Sequence, residues 1–155
     1  MSKQRILVVA NRTADSPELI AGLRSRGTDS SARFTLLVPA VPRGLAWAAD
    51  MKAGWADAIG RAEAAAERIS RSGLGFDGAI VGDPDPLAAV GDVLHLRKFD
   101  EVVVSTLPPG ISSWLRLSLP DRLRRATELP VTQMTVNPGG ASPAHREREL
   151  VGAAS

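Results

Sequence analysis

The sequence predicts an α/β fold in which helices cover both faces of an open, parallel β-sheet. Short apolar runs of strand length recur along the chain, and the segments between them carry apolar residues at helical spacings of three and four. Regular alternation of strands and helices is typical of a three-layer sheet with right-handed crossovers. A chain of 155 residues with 44% hydrophobic content has the length for one such domain around one core.

The first half of the chain predicts two strands and the helix between them. Residues 5–10 form a continuous, β-branched run, as expected of a strand that is covered on both faces. Ser16 is placed to cap a helix whose first residue is Pro17 and which ends near Gly27. Residues 33–38 form the second strand, which stops at prolines because these cannot donate to a ladder.

A longer helix is predicted over residues 46–71. Its apolar residues recur at spacings of three and four, so we expect them to form one stripe that packs against the sheet. The stripe consists of Trp47, Met51, Trp55, Ala58, Ile59, Ala62, Ala66 and Ile69.

The second half repeats the alternation. Residues 76–81 predict a third strand, and Asp85 is expected to cap the helix that follows it. Residues 101–105 predict a fourth strand, residues 118–127 a last helix, and residues 131–136 a fifth strand. Residues 137–155 show no core pattern, and we expect a flexible tail there.

Composition excludes several classes of function. The absence of cysteine excludes disulfides and thiol chemistry. The pI of 9.7 overstates the basic character, because the net charge is only +2 and no Tyr or Cys titrates above neutral pH. The charges are mostly interspersed, so we expect no nucleic-acid binding. The first apolar run is too short for a signal peptide or a membrane span, which predicts a cytoplasmic protein without a membrane partner.

Three sequence patterns that might indicate a site have simpler explanations. Residues 73–78 match the dinucleotide-binding glycine pattern, but they follow a helix and open a strand, the reverse of the order that phosphate binding requires. Asp83 and Asp85 are better explained by turn formation and capping than by a metal. His95 lies within a helix and His145 in the tail, so we predict no catalytic residue and no metal site.

The region after the fourth strand is more informative. Ser118 and Asp121 have the spacing of a capping box, so the last helix is predicted to start at Ser118. Its free amides would then point to the carboxyl edge of the sheet, where an anion could bind next to Arg116. The alternative, that Ser118 only caps its helix, is equally consistent with these residues.

Four stretches, taken in order, resemble the universal stress protein family over residues 4 to 136. They are the run 6–10 before a polar residue, Val81-Gly82-Asp83-Pro84 at the end of the third strand, Glu101-Val102-Val103-Val104 in the fourth, and Ser118 opening a helix that leads to Leu129-Pro130-Val131.

The resemblance implies a Rossmann-like fold of the adenine nucleotide alpha hydrolase-like type, with five strands in the order 3-2-1-4-5. It further implies a domain over residues 1–136, and a homodimer that pairs through strand 131–136.

In this order strands one and four are neighbours whose outgoing connections diverge, and open α/β sheets bind ligands at such a switch point. We call the space beyond the carboxyl ends of these two strands the crevice. The residues expected to line it are Ala10, Asn11, Arg12, Val38, Ser105, Thr106, Gly110, Ser112, Ser113 and Ser118.

The phosphate-binding glycines of ATP-binding family members are largely missing. If Leu117 and Ser118 hold the last pair of the family's motif, its first two glycines fall on Val104 and Leu107, and only the serine remains. The two prolines after Leu107 cannot donate N–H groups to phosphate. Asn11 stands where family members that bind adenine nucleotides usually carry Asp.

Two interpretations remain open. In one, the hydroxyls and amides of residues 105–118 hold a phosphate in a rearranged loop, with Arg12 or Arg116 neutralising it. In the other, the Leu-Pro-Pro-Gly turn fills the crevice, and the domain acts through protein contacts.

We favour a dimeric regulatory or adaptor domain of universal stress type that binds ATP weakly or not at all. The alternative is an adenine-nucleotide-binding protein with slow hydrolase or nucleotidyl-transfer activity. The sequence leaves open whether Trp114 packs inward or covers the crevice.

Overall fold

A computed structural model describes residues 4–26, 32–40 and 47–137, without the side chains of residues 47–51, Ser113 and Arg116. The strands are β1 (Gln4–Val9), β2 (Ala32–Pro39), β3 (Gly75–Gly82), β4 (Glu101–Thr106) and β5 (Val131–Thr135). The helices are α1 (Pro17–Arg26), α2 (Trp47–Arg71), α3 (Pro86–Leu96), α4 (Ser113–Arg116) and α5 (Leu119–Ala126). All the strands predicted from the sequence are present, with ends that differ by at most one residue.

The strands form one parallel five-stranded sheet in the order β3-β2-β1-β4-β5, as the family resemblance implied. In register, Val9 of β1 lies beside Leu37 of β2 on one side and Val104 of β4 on the other. The carboxyl ends of the three central strands therefore meet at one edge. This edge carries the crevice.

Two apolar clusters on opposite faces of the sheet confirm the three-layer architecture. Ile6 and Val8 of β1 pack in one cluster with residues of α1 and α2, including Leu19 and Ala62. Leu7 and Val9, which alternate with them along β1, pack in the other cluster, which holds residues of α3, α4 and α5. Both faces of β1 are thus covered, which explains the unbroken apolar run in its sequence.

The predicted apolar stripe of α2 is only partly core. Ala58, Ala62 and Ile69 are buried, but Trp55 is 38% and Ile59 46% exposed, so the prediction that they pack into the core is wrong. The buried positions in the described part of α2 are Gly54, Ala58, Ala62, Ala65 and Ile69. Trp55 and Ile59 each directly follow one of these positions and are rotated by about 100° from it, so they lie beside the buried face rather than on it. The side chains of Trp47 and Met51 lie outside the described part of the structure.

The described helices include none that is long and apolar enough to cross a membrane. Residues 138–155, which make up almost all of the predicted tail, lie outside the described residues, so the predicted domain boundary stays a prediction.

A buried carboxylate joins three elements at the amino edge of the sheet. Glu101, the first residue of β4, is 6% exposed. Its Oε2 accepts hydrogen bonds from Arg26 at the end of α1 and from Thr132 Oγ1 of β5, the latter at 2.7 Å. A buried carboxylate is stable only when it is paired and hydrogen-bonded, so this contact ties α1 to the outer half of the sheet.

We predict that Arg26→Met lowers the free energy of unfolding by about 2 kcal/mol, because it leaves the buried Glu101 carboxylate without its counter-charge. Arg71→Met is the matched control, since Arg71 also ends a helix but pairs with the exposed Glu67. It should lower stability by less than about 0.5 kcal/mol. Urea denaturation followed by tryptophan fluorescence measures both values. Equal losses would show that Glu101 does not depend on Arg26.

Candidate functional site

The crevice lies where the connections after β1 and β4 separate. The connection from β1 leads to α1 on one face of the sheet, and that from β4 leads to α4 and α5 on the other face. Strands β1 and β4 are hydrogen-bonded neighbours. The structure thus contains the topological switch point at which open α/β sheets bind ligands.

A buried hydrogen bond links the two sides of this switch point. The Oγ of Ser105, near the end of β4, lies 2.6 Å from the Oγ1 of Thr13 in the turn after β1, and both residues are 1% exposed. Either hydroxyl can be the donor. Ser105 was expected to face a ligand, whereas here its hydroxyl bonds to the protein itself.

Asn11 is also engaged by the protein. Its Nδ2 donates to the backbone oxygen of Pro39 at the end of β2, and its Oδ1 accepts from a terminal nitrogen of Arg61 in α2. An aspartate could not make the first of these bonds, because an ionised carboxylate has no donor. The asparagine therefore joins the ends of β1 and β2 to α2.

Two further predicted site residues have hydroxyls with protein partners. Thr106 is 1% exposed, and its Oγ1 accepts from Gln133 Nε2 of β5 at 2.7 Å. Ser112 is 3% exposed, and its Oγ accepts from the backbone N–H of Leu115, which caps α4. The first bond joins β4 to β5, and the second caps α4.

The segment 107–118 folds over the end of β4 as a tight turn followed by α4. The N–H groups of Ile111 and Ser112 both donate to the backbone oxygen of Pro108, at 3.2 Å. Gly110 within this turn has a φ of 95°, which favours glycine. Trp114 is only 8% exposed and packs in the cluster formed by α3 and α5, so it points inward.

Ser118 does not cap the last helix as predicted. It has a left-handed backbone conformation, with a φ of 55°, and its side chain makes no capping hydrogen bond. A capping serine needs extended backbone to aim its oxygen at the first amides of the helix, so the predicted capping box is wrong. Sequence periodicity did not predict the short helix α4, which ends at Arg116. Only Leu117 and Ser118 connect α4 to α5, and this tight connection imposes the conformation of Ser118. Asp121 instead bonds to Arg124.

The remaining predicted site residues lie around the same edge. Ala10 and Val38 are completely buried in the cluster beneath α1 and α2, whereas Arg12 and Gly110 are exposed. The side chains of Ser113 and Arg116 lie outside the described part of the structure.

The structure supports the simpler explanations of the other motifs. Gly73 and Leu74 lie in the turn after α2, where Gly73 has a φ of 85°, and residues 75–78 begin β3. Asp83 Oδ1 accepts from the N–H of Asp85, whose own side chain caps α3. The described residues contain no group of three or more His, Asp or Glu side chains with the geometry of a metal site.

Sequence reasoning missed three residues that shape the site. Thr13 lies in a polar turn with several equivalent candidates, and nothing in the sequence singles it out as the partner of Ser105. Arg61 lies in the middle of a helix, where the default interpretation is a solvated side chain. Gln133 is the one polar residue in the centre of the fifth strand, and that position was a usable signal.

No protein-family model and no curated protein matches the sequence. Solved structures do match the fold. A structure from the universal stress protein family of Burkholderia pseudomallei has a TM-score of 0.60 at 14% identity, and the match covers 86% of this chain and 96% of that chain. An Arabidopsis thaliana structure from the same family, with AMP bound, has a TM-score of 0.57 at 15% identity and coverages of 86% and 92%. A universal stress protein in complex with cAMP has a TM-score of 0.54 at 19% identity and coverages of 88% and 100%. The chain has the universal stress protein fold.

We predict that Thr13→Val and Ser105→Ala each lower the free energy of unfolding by about 1–3 kcal/mol, because each leaves a buried hydroxyl without its partner. The double variant should lose clearly less than the sum of the two. A double-mutant cycle by chemical denaturation measures this coupling. Strictly additive losses would mean that the two hydroxyls do not interact.

Proposed function

We propose that this chain is a regulatory or adaptor domain of universal stress type, which acts as a homodimer and binds adenine nucleotides only weakly. The observation that carries the proposal is the state of the polar groups around the crevice. The side chains of Asn11, Ser105, Thr106 and Ser112 bond to the protein itself. A ligand that displaces one of these protein partners has to break the existing bond first, which lowers its net affinity.

The loop after β4 is poorly suited to a triphosphate. Pro108 and Pro109 carry no N–H, and the N–H groups of Ile111 and Ser112 already donate to Pro108. Phosphate-binding loops work by presenting several free backbone N–H groups at once. This loop presents few, so we expect no tight site for ATP.

A small adenine nucleotide is the second candidate ligand. Two of the solved neighbours hold AMP and cAMP, and both proteins have the same fold as this chain. Each of those ligands has a single phosphate group. A crevice without a polyphosphate loop is compatible with a mononucleotide, which we take as the ligand class to test first.

Exposed apolar side chains support the adaptor part of the proposal. Ile111 is 60% and Leu117 63% exposed, and they lie on either side of α4. The helix itself is held in place by the buried Trp114. Rigidly presented apolar groups of this kind favour contact with another protein.

We predict that magnesium ATP binds more weakly than about 100 μM in calorimetry, and that Ser118→Ala changes this affinity by less than about twofold. Ser118 is exposed, and its hydroxyl is not held in place by a capping hydrogen bond. Mass spectrometry of the denatured protein should detect no co-purified ATP. Tight binding that Ser118→Ala abolishes would overturn the proposal in favour of an ATP-dependent protein.

The free edge of β5 supports the dimer. Pro130 and Val136 bond to β4 through their backbone groups. Because bonding alternates along a strand, the backbone groups of Val131, Gln133 and Thr135 point away from the sheet. Two copies related by a twofold axis would pair these edges antiparallel, with Gln133 opposite its own copy.

We predict that the protein is a dimer in light scattering at micromolar concentration and that Thr135→Pro weakens the dimer at least about tenfold. Thr135→Val is the matched control, because it removes the same hydroxyl but keeps the outward N–H. A monomeric wild-type protein, or equal effects of the two substitutions, would contradict pairing through β5.

A further inference from the structure

Arg61 brings a positive charge to the β2 side of the crevice. It lies in the middle of α2, is half-buried, and donates from one terminal nitrogen to Asn11 Oδ1 at the end of β1. A guanidinium has five N–H donors. Among the described residues Asn11 is its only hydrogen-bond partner, which leaves most of these donors available.

The bonding of Arg61 differs from that of other arginines in the chain. Arg26, Arg33 and Arg124 each bond a carboxylate. Arg61 bonds a neutral amide oxygen instead. A half-buried guanidinium whose hydrogen bond goes to a neutral group keeps its charge and its other donors for an anion from outside the protein.

Asn11 holds this guanidinium in a defined position. Its Nδ2 donates to the backbone oxygen of Pro39, so the amide cannot turn its oxygen away from Arg61 without losing that bond. The next residue, Arg12, is exposed and has no hydrogen-bonded partner among the described residues. The end of β1 is therefore followed by an exposed arginine, directly after the asparagine that bonds Arg61.

On the opposite side of the crevice, several polar groups of the described residues are already engaged. In the segment after β4, the amides of Ile111 and Ser112 donate to Pro108, and the hydroxyl oxygens of Thr106 and Ser112 accept from Gln133 and Leu115. We infer that Arg61, oriented by Asn11, binds the single phosphate group of a small adenine nucleotide, with Arg12 beside it. This inference rests on the proposed weak nucleotide binding, and it places the phosphate at β1 and α2 rather than at the loop after β4.

The test compares AMP with adenosine, because their difference in affinity isolates the phosphate. By calorimetry or ligand-observed NMR, wild-type protein should bind AMP at least about tenfold more tightly than adenosine. Arg61→Gln should bring this ratio close to one while adenosine affinity stays unchanged. Arg68→Gln, an exposed position two turns further along the same helix, should keep the wild-type ratio. Inorganic phosphate should compete with AMP but not with adenosine.

Asn11→Asp is the second variant, in case Arg61→Gln folds poorly. It keeps Arg61 but places a carboxylate against it, so the ratio of AMP to adenosine affinity should also fall at least about fivefold. The inference is overturned if wild-type protein binds both ligands equally, if neither variant lowers the ratio, or if AMP does not bind at millimolar concentration. Each of these results leaves the dimer and the ATP measurements unaffected, so the two proposals fail separately.

Discussion

The central strands are buried on both faces, and this burial constrains everything else in the molecule. In a strand such as β1, Ile6 to Val9 all pack into one apolar cluster or the other, which leaves no room for a functional group along that stretch. Polar residues that carry a function must lie where the strands end. Because the strands are parallel, their carboxyl ends meet at one edge, and four residues that make polar connections between elements lie there: Asn11, Thr13, Ser105 and Thr106.

At that edge the chain satisfies most of its own hydrogen-bonding groups. Thr13 with Ser105 bridges the two diverging connections, and Asn11 joins β1 to β2 and α2. An open ligand site keeps such groups free or hydrated until a ligand replaces the water. Internal bonding favours the ligand-free state, while the guanidinium of Arg61 still offers unused donors. The proposed function therefore assigns this edge a preference for one compact anion over a long polyphosphate.

The sequence predicts the fold well and the site less well, for different physical reasons. Continuous apolar runs indicate buried strands directly, and cap residues such as Ser16 and Asp85 bond to the amides that the sequence predicts. The spacing of Ser118 and Asp121 predicted a cap as well. Ser118 instead follows the unpredicted helix α4, has a left-handed backbone conformation and does not cap α5. Trp55 was assigned to the apolar stripe and yet lies beside the buried face of α2, which includes Ala58 and Ala62. Pairs such as Thr13 and Ser105 lie 92 positions apart, and no local pattern relates them.

The buried side chain of Trp114 restricts the motion of the segment after β4. Loops at ligand sites usually belong to the least stable part of a domain, and they open without disturbing the core. Here the segment after β4 carries a large aromatic side chain that is 8% exposed and shares a cluster with α3 and α5. Opening the segment would extract that side chain from the core. Its amides should therefore exchange with solvent at rates close to those of the sheet, so a ligand meets a fixed rim rather than a closing lid.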